Sequence, residues 1–301
     1  MHPELSLIFC SRTKQLPDLL LRNIEATIGC DYELIVVDNS QQEYSIFEAY
    51  QLGSSRSKGK YLAFLHDDLY FHTQNWGELL KEHLAVPGVG IVGIGGRDTL
   101  VRVPSSWTVS LPYIHLTQSD KNRKNRKIKH RPADFSGLRA KVVMLDGVML
   151  CMQSKLMETI GFDTRMAGFH GYDFDICIKS AAAGFQNYVM YNIEIEHFSR
   201  GNADKNYYRN LMLVFENNSA LLPQSTLPLS LVEQEVLEIQ GMNRLARKMI
   251  VKGFSFGEIR ASYKLFCTIT EMQSLTTPFN QLLLGLQFIL IRLLYKPFIK
   301  R

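Results

Sequence analysis

The sequence predicts an α/β protein with a Rossmann-like mixed sheet in front and a helical extension at the end. Three apolar runs of strand length occur early in the chain, at residues 5–10, 33–37 and 61–65. The segments between them carry apolar residues at helical spacing. Strands that alternate with helices are typical of a doubly wound parallel sheet. From residue 223 onward the pattern becomes one of amphipathic helices, so we expect two parts, residues 1–222 and 223–301.

The remaining elements are predicted from the same patterns of apolar and polar residues. In the first part we predict helices at residues 17–27, 46–52, 76–84, 155–160, 173–183 and 207–217. Further strands are predicted at residues 88–94, 142–151 and 188–196. Residues 95–98 are expected to form a turn, and residues 97–140 are the least regular stretch of the first part. In the second part we predict helices at residues 231–249, 256–271 and 278–301.

The composition is that of a globular protein with a large core. The 301 residues are 46% hydrophobic and 21% charged, which is not typical of a disordered chain. The formal charge of +5 favours anionic partners, including nucleotides and acidic lipids. Five cysteines without a paired spacing argue against a disulfide framework or a zinc site. The first residues lack the pattern of a secretory signal, so we expect a cytoplasmic protein that begins at Met1.

A strongly basic block occupies residues 121–131. Its charges are not interleaved with aromatic residues that would stack on bases, so we do not expect a nucleic-acid partner. We expect a mobile loop that closes over an anionic substrate.

The last segment, residues 278–301, is too short and too interrupted by polar residues to predict a membrane span. Basic residues follow its apolar centre, which suits a helix lying on an anionic membrane surface. A helix packed in a homodimer interface or on the domain is an equally good interpretation. The sequence leaves these alternatives open.

Polar side chains follow the predicted strands at the edge where ligands bind in open α/β sheets. His66, Asp67 and Asp68 end the third strand, and Asp38 ends the second. Adjacent carboxylates repel each other unless a cation or hydrogen-bond donors compensate them, so a divalent metal and phosphate site is one interpretation. A solvated acidic turn is the other.

Taken together, these motifs resemble a family 2 glycosyltransferase of the GT-A fold, over residues 5–217. The segment 34–40 is similar to the family's second strand, and the resemblance implies that Asp38 contacts the nucleobase. The segment 64–68 is similar to the Asp-x-Asp motif, with His66 in place of the first acid. Asp68 then becomes the ligand of a Mn²⁺ or Mg²⁺ ion and of the pyrophosphate. His66 and Asp67 become contacts to the nucleotide sugar, for example to the ribose.

The resemblance extends to the later acidic segments. Residues 171–176 are similar to the family's Glu-Asp-x-Asp-Leu segment, with Tyr172 where Glu is common. This implies that Asp173 is the catalytic base and that Asp175 has a structural or capping role. Asp146 resembles an acidic turn that binds the donor sugar or acceptor, and His197 resembles the late histidine that completes the metal site.

Ser11 and Arg12, at the end of the first strand, are assigned to the nucleotide-sugar site as well.

The function implied is inverting, metal-dependent transfer of a hexosyl group from a nucleoside diphosphate sugar, most simply a UDP-sugar. The acceptor would be a hydroxyl of a glycan or lipid-linked molecule in cell-envelope polysaccharide synthesis, at the inner face of the membrane. The alternative is a non-catalytic GT-A domain that binds a nucleotide or glycan, which the replacement of the first acid by His66 keeps open. A nucleotidyltransferase is disfavoured because no glycine-rich phosphate loop follows the first strand.

Overall fold

The computed structural model describes residues 3–105, 113–120, 122, 126–199, 203–272 and 278–295. The chain divides into two compact units. The first comprises Met1–Thr99 and Trp107–Gly201, and the second comprises Leu100–Ser106 and Asn202–Arg301.

The described residues form strands in two main sheets and one short ladder. The strands are β1 (Leu5–Ser11), β2 (Tyr32–Asp38), β3 (Tyr61–Leu65), β4 (Leu69–Phe71), β5 (Val89–Gly93), β6 (Gly95–Arg97), β7 (Thr99–Leu100), β8 (Tyr113–Gln118), β9 (Lys127–Arg131), β10 (Arg139–Val142), β11 (Met144–Leu145), β12 (Met149–Gln153), β13 (Gln186–Met190), β14 (Ile195–His197) and β15 (Gln224–Ser225).

The helices lie between these strands and at the end of the chain. They are α1 (Asp18–Thr27), α2 (Ile46–Arg56), α3 (Trp76–Ala85), α4 (Ser154–Ile160), α5 (Tyr172–Ala182), α6 (Lys205–Asn217), α7 (Leu231–Val251), α8 (Phe256–Ile269) and α9 (Pro278–Tyr295), with a 3₁₀ turn at Ser219–Leu221.

Seven of the described strands form one sheet in the order β10-β13-β5-β12-β3-β1-β2. Strand β1 is parallel to both β2 and β3, with Ser11 opposite Asp38 and Phe9 opposite Leu65. Buried residues fill β1 and β3, as expected for strands covered on both faces. The predicted doubly wound beginning is therefore confirmed, and its strands end at one edge.

Helix α2 packs closely against strand β1. A capping box fixes its start, since Ser45 and Glu48 each accept a hydrogen bond from the other's backbone N–H. Near its end, Gly53 lies against Ile8, where any added Cβ would collide with the isoleucine side chain. The glycine thus lets the helix approach β1 closely.

A second sheet, in the order β11-β6-β8-β14-β4 with β9 beside β8, completes this unit. Strand β14 is antiparallel to β4, so that His197 lies opposite Leu69. The backbone N–H of Phe198 donates to the carbonyl of Asp68 at 3.1 Å. This pairing places the end of β14 directly beside the residues that follow β3.

The prediction was wrong where sequence patterns were weak. Residues 95–97 form strand β6 and not a turn, because Gly96 lets the backbone approach the Met144 carbonyl more closely than any side chain would permit. Residues 127–131 form β9, an exposed strand paired antiparallel with β8, and not a loop. Strand pairing here overrides the charge pattern. Residues 121 and 123–125 of the predicted basic loop lie outside the described residues.

Two predicted strands are each divided. The stretch 142–151 becomes the end of β10, then β11 and β12, with Asp146 in the turn before β12. The stretch 188–196 becomes β13 and β14, which belong to different sheets. A chain that crosses between sheets must break its ladder, and apolar periodicity carries no signal for that break.

The second unit contains α6 to α9, and its apolar core includes Met249, Phe254 and Phe266. Glu238 is fully buried in α7 and forms an ion pair with Arg102, whose Nε lies 2.9 Å from the carboxylate. Among the described residues, no helix has the length and apolar character needed to cross a membrane.

Candidate metal centre and its surroundings

Three side chains that are distant in sequence converge at the end of β3. The Oδ1 atom of Asp68 lies 3.2 Å from Nε2 of His197 and 3.9 Å from Nδ1 of His66. The ligand atoms of the three residues all lie within 4.8 Å of one another. The sequence predicted that Asp68 and His197 approach each other, and they do. His66, assigned to the nucleotide sugar, belongs to the same cluster, which we call the His-Asp-His cluster.

The electrostatics of the cluster keep its carboxylate ionised. Burial by itself raises the pKa of Asp68, but the hydrogen bond and charge of His197, with contributions from Ser199 and His66, lower it to about 2. Partial burial lowers the pKa of His66, and repulsion from His197 adds to that effect. At neutral pH the cluster therefore offers an anionic oxygen and a neutral imidazole at His66.

A buried network holds the strand that carries His197. Glu196 is fully buried and accepts a hydrogen bond from Ser119 Oγ at 2.6 Å, while His72 Nε2 lies 3.0 Å from its other oxygen. The side chain of Gln118 donates to the backbone carbonyl of His197 at 2.8 Å. These contacts fix the backbone that carries His197, as is common for residues that support metal ligands.

The donor set of the cluster fits a divalent cation. Two imidazole nitrogens and one carboxylate oxygen are a combination that first-row divalent ions accept, leaving coordination positions open for substrate oxygens. Magnesium prefers a shell of oxygen ligands, so the two imidazoles favour a first-row transition-metal ion over magnesium.

Asp173 lies at the start of α5, after Gly171, whose positive φ of 88° bends the chain into the helix. Burial raises the pKa of Asp173 to about 7, and the negative charge of Asp146 contributes to the rise. Backbone N–H groups, including that of Phe174 at 3.0 Å, act in the opposite direction. A carboxylate with such a pKa can take up a proton near neutral pH.

Asp175 has a different environment, although it lies two residues further along the same helix. Its side chain is 3% exposed and lies 2.7 Å from Nζ of Lys179. This buried ion pair agrees with the structural role expected for Asp175.

Asp146 lies in the turn before β12, where it accepts the backbone N–H of Val148 at 3.0 Å. The next residue, Gly147, accepts a hydrogen bond from the hydroxyl of Tyr172 at 3.0 Å. The same hydroxyl lies 3.0 Å from Nε2 of His66. Sequence reasoning assigned no role to Tyr172, although its departure from the family pattern was a signal.

The other assigned residues lie at the ends of β1, β2 and β3. Ser11 is buried, and its hydroxyl donates to Asp67 Oδ2 at 3.2 Å. Asp38, opposite Ser11 in the ladder, is exposed and accepts the backbone N–H of Ser40 at 2.9 Å. Arg12 is exposed after the end of β1. Their roles toward a nucleotide stay predictions.

The fold has counterparts among solved structures of GT-A glycosyltransferases. The chain superposes on S. aureus TarS (residues 1–349, in complex with UDP-GlcNAc) with a TM-score of 0.50, at 10% identity over 90% of this chain and 91% of that chain. A longer TarS structure gives 0.55 at 11% identity, over 94% of this chain and 52% of that one. GalNAc-T7 with UDP, GalNAc and Mn²⁺ gives 0.51 at 10% identity, over 91% and 58%.

These likenesses establish the fold. It is the GT-A fold, followed by C-terminal helices, as the sequence predicted. The chain spans little more than half of the GalNAc-T7 chain and of the longer TarS chain.

The chain belongs to the glycosyltransferase-like family, whose model matches residues 7–216 and thereby confirms the family that the motifs resembled. A curated relative from Fuscovulum blasticum, "ATP synthase subunits region ORF 6", is 23% identical over 182 residues, which is 59% of this chain and 67% of the relative.

Proposed function

We propose that this protein transfers a hexosyl group from a nucleoside diphosphate sugar to an acceptor hydroxyl, with inversion at the anomeric carbon and with a divalent metal ion. The observation that carries the proposal is the His-Asp-His cluster together with Asp173, a carboxyl group whose pKa is about 7. The His-Asp-His cluster suits a diphosphate with its cation, and the carboxylate of Asp173 suits a proton from the acceptor.

The cluster would hold the ion through His66, Asp68 and His197, and the bound ion would supply positive charge for the departing diphosphate. The pKa of Asp68, lowered to about 2 chiefly by the hydrogen bond and charge of His197, supports this role, because the carboxylate is ionised at neutral pH. The GalNAc-T7 structure contains UDP, GalNAc and Mn²⁺. We extend Mn²⁺ and UDP to this chain, with a UDP-sugar as the donor.

Ser11, Arg12, Asp38 and Asp67 would bind the nucleotide. Their places at the ends of adjacent strands support this, because ligands of open α/β sheets lie at that edge. The exposed carboxylate of Asp38 can accept hydrogen bonds from a nucleobase, and the exposed Arg12 guanidinium can pair with phosphate.

Asp173 would take the proton from the acceptor hydroxyl as its oxygen attacks the anomeric carbon. The bond to the sugar forms as the bond to the diphosphate breaks, and the proton ends on Asp173. A neighbouring carboxylate, Asp146, keeps the proton affinity of Asp173 high and can also bind the sugar hydroxyls.

The acceptor would enter beside the loop that precedes α5. A cavity of about 300 Å³ lies between residues 42–48 and 164–169. Tyr44 and Phe169 on its walls offer aromatic surfaces, and Glu43 and Arg165 offer polar groups, a combination that suits a glycan or lipid-linked acceptor.

Helix α9 would lie on the anionic inner face of a membrane, which suits a protein of cell-envelope polysaccharide synthesis. Leu283, Leu286, Ile289 and Leu290 are each between 42% and 58% exposed along this helix. The sequence from residue 278 to 301 has four basic and no acidic residues. These four exposed apolar residues form what we call the α9 stripe. A second copy of the chain is the alternative partner for this stripe.

Incubation with a panel of nucleotide sugars and Mn²⁺ tests the enzymatic proposal, because hydrolysis of the donor needs no knowledge of the acceptor. We expect release of the nucleoside diphosphate from a UDP-sugar, lost on addition of EDTA and lost in Asp68→Asn. Metal-dependent nucleotide binding without any turnover, across the whole panel and with candidate glycan acceptors, would support the non-catalytic alternative instead.

A further inference from the structure

The hydroxyl of Tyr172 connects the His-Asp-His cluster to the helix that carries Asp173. The side chain belongs to the buried core, and its Oη lies 3.0 Å from the carbonyl oxygen of Gly147 and 3.0 Å from Nε2 of His66. One side chain therefore contacts the turn before β12 and a candidate metal ligand, and its neighbour in sequence is the candidate base.

The count of protons determines the direction of these hydrogen bonds. A carbonyl oxygen only accepts, so the single hydroxyl proton of Tyr172 goes to Gly147. The hydroxyl of Tyr50 also approaches that of Tyr172, but it has a proton of its own, which it donates to the carbonyl of Leu65 at 3.4 Å. The Tyr172 proton is therefore left for Gly147. The Tyr172 oxygen must then accept from His66 Nε2, which carries a proton. When a neutral His66 carries its proton on Nε2, the lone pair available to a ligand is on Nδ1.

That lone pair is on the correct side of the ring for a ligand. The Nδ1 atom is the His66 nitrogen that lies 3.9 Å from Oδ1 of Asp68, while Nε2 contacts Tyr172. The opposite tautomer would place a proton on Nδ1, where it would oppose a cation.

We propose that Tyr172 is a positioning residue that fixes His66 in its Nε2–H tautomer and so holds the Nδ1 lone pair ready for the divalent ion. The proposal rests on the metal site described under the proposed function. Tyr172 is also the first residue of α5, the helix that carries Asp173. The same hydrogen bonds therefore fix the position of His66 relative to the start of this helix.

The surroundings of Tyr172 are shaped around its hydroxyl. A Cβ on Gly147 would collide with it, so the turn accommodates the hydroxyl only with glycine at this position. The backbone N–H of His66 donates to the carbonyl of Val148 at 3.2 Å, which ties the same turn to the end of β3. The ring packs edge-on against Phe47 and Tyr50, with centroids 6.4 and 5.4 Å away. The two ring contacts remain in a Tyr172→Phe variant, which loses only the hydroxyl.

The metal-binding experiment compares Tyr172→Phe with Tyr50→Phe, titrated with Mn²⁺ alone by calorimetry. Residues that orient metal ligands typically contribute about 10- to 100-fold to affinity, and we expect a loss of that size in Tyr172→Phe. Tyr50→Phe removes a hydroxyl of the same aromatic cluster that donates to the Leu65 carbonyl, whereas it is Tyr172 that contacts His66, so we expect the Mn²⁺ affinity of Tyr50→Phe to stay within about twofold. Equal affinities in the two variants would overturn the proposal, provided that the unmodified protein binds Mn²⁺.

A second measurement does not depend on metal binding. Long-range ¹H–¹⁵N spectra of the metal-free protein with labelled histidine, at about pH 8 where an imidazole is neutral, report the tautomer of His66 directly. We expect the proton on Nε2. A proton on Nδ1 would overturn the role of Tyr172, even if Mn²⁺ binds, whereas the Nε2 tautomer without Mn²⁺ binding would overturn the metal site alone.

Discussion

Replacing Asp173 with asparagine separates catalysis from stability, because the carboxylate proposed as base is also costly to ionise in the folded protein. Burial raises its pKa to about 7, from an ordinary value of 3.8. Asparagine has a similar size, keeps an oxygen that can accept the N–H of Phe174 and carries no charge. We therefore expect the variant to be more stable and less active than the unmodified protein.

The magnitude follows from the pKa difference. Each pKa unit corresponds to about 1.4 kcal/mol, so the rise to about 7 is worth about 4 kcal/mol. Because Asp173 is only partly buried, solvent screening reduces the expected gain in unfolding free energy to about 2 kcal/mol.

The gain has a defined pH dependence. The unfolded chain releases this proton near pH 3.8 and the folded protein near pH 7. Between these values the folded state of the unmodified protein binds more protons, so its stability falls as pH rises. The advantage of Asp173→Asn is therefore absent below about pH 4 and complete above about pH 7.

The assay is urea unfolding of both proteins in EDTA, at several pH values, with sugar-transfer or hydrolysis rates measured separately with Mn²⁺. Loss of a general base typically lowers the rate by about 10²- to 10⁴-fold. The unmodified rate should fall about tenfold per pH unit below about pH 7, as the carboxylate becomes protonated.

Asp175→Asn is the matched control on the same helix. It breaks the buried ion pair with Lys179, so we expect a loss of about 3 kcal/mol at neutral pH, opposite in sign to Asp173→Asn. If Asp173→Asn is destabilised as much as Asp175→Asn above pH 7, or retains the unmodified rate, the reasoning about Asp173 is refuted.

Three further outcomes are expected. His197→Ala should weaken Mn²⁺ binding by more than about 100-fold in calorimetry without nucleotide, and unchanged affinity would exclude the residue as a ligand. Glu238→Gln should destabilise the second unit by about 3 kcal/mol, because Arg102 loses its buried partner, and an unaltered melting curve would contradict this. Leu286→Glu should abolish sedimentation with anionic vesicles while UDP binding is kept; a dimer that the same change dissociates would assign the α9 stripe to a second copy.

The front of the fold could be predicted because β1 and β3 are buried on both faces and β2, at the edge of the sheet, still has an apolar centre. Strands β1 to β3 are continuous apolar runs that end abruptly in polar residues, and the helices between them have a clear period. Strand β3 lies at the predicted residues 61–65. Apolar runs and helical periodicity are local signals, which do not depend on the segments that the strand or helix contacts in the folded protein.

The middle of the chain could not be predicted, because its structure depends on long-range pairing. Strand β6 is glycine-rich and resembles a turn until the Met144 backbone is placed beside it. Strand β9 is highly charged and exposed, and its partner β8 alone makes it a strand. Neither arrangement has a signature in local composition.

The candidate site was predictable in its members more than in its connections. The order of motifs implied that Asp68 and His197 meet, and the structure places them 3.2 Å apart. The hydrogen bond between His66 and Tyr172 was not predicted, since no pattern in one sequence reports a contact between separate motifs. Both residues occupy positions where the motifs depart from the family pattern, and the structure shows that these two departures contact each other.

The central claim is a nucleotide site that depends on a metal ion held by the His-Asp-His cluster. Calorimetric titration with UDP, performed with Mn²⁺ and again with EDTA, tests it most directly in the unmodified protein and in Asp68→Asn. We expect binding in the unmodified protein with Mn²⁺ and a loss of that binding in EDTA and in the variant. Equal UDP affinity with and without Mn²⁺, unaffected by Asp68→Asn, would contradict the proposal.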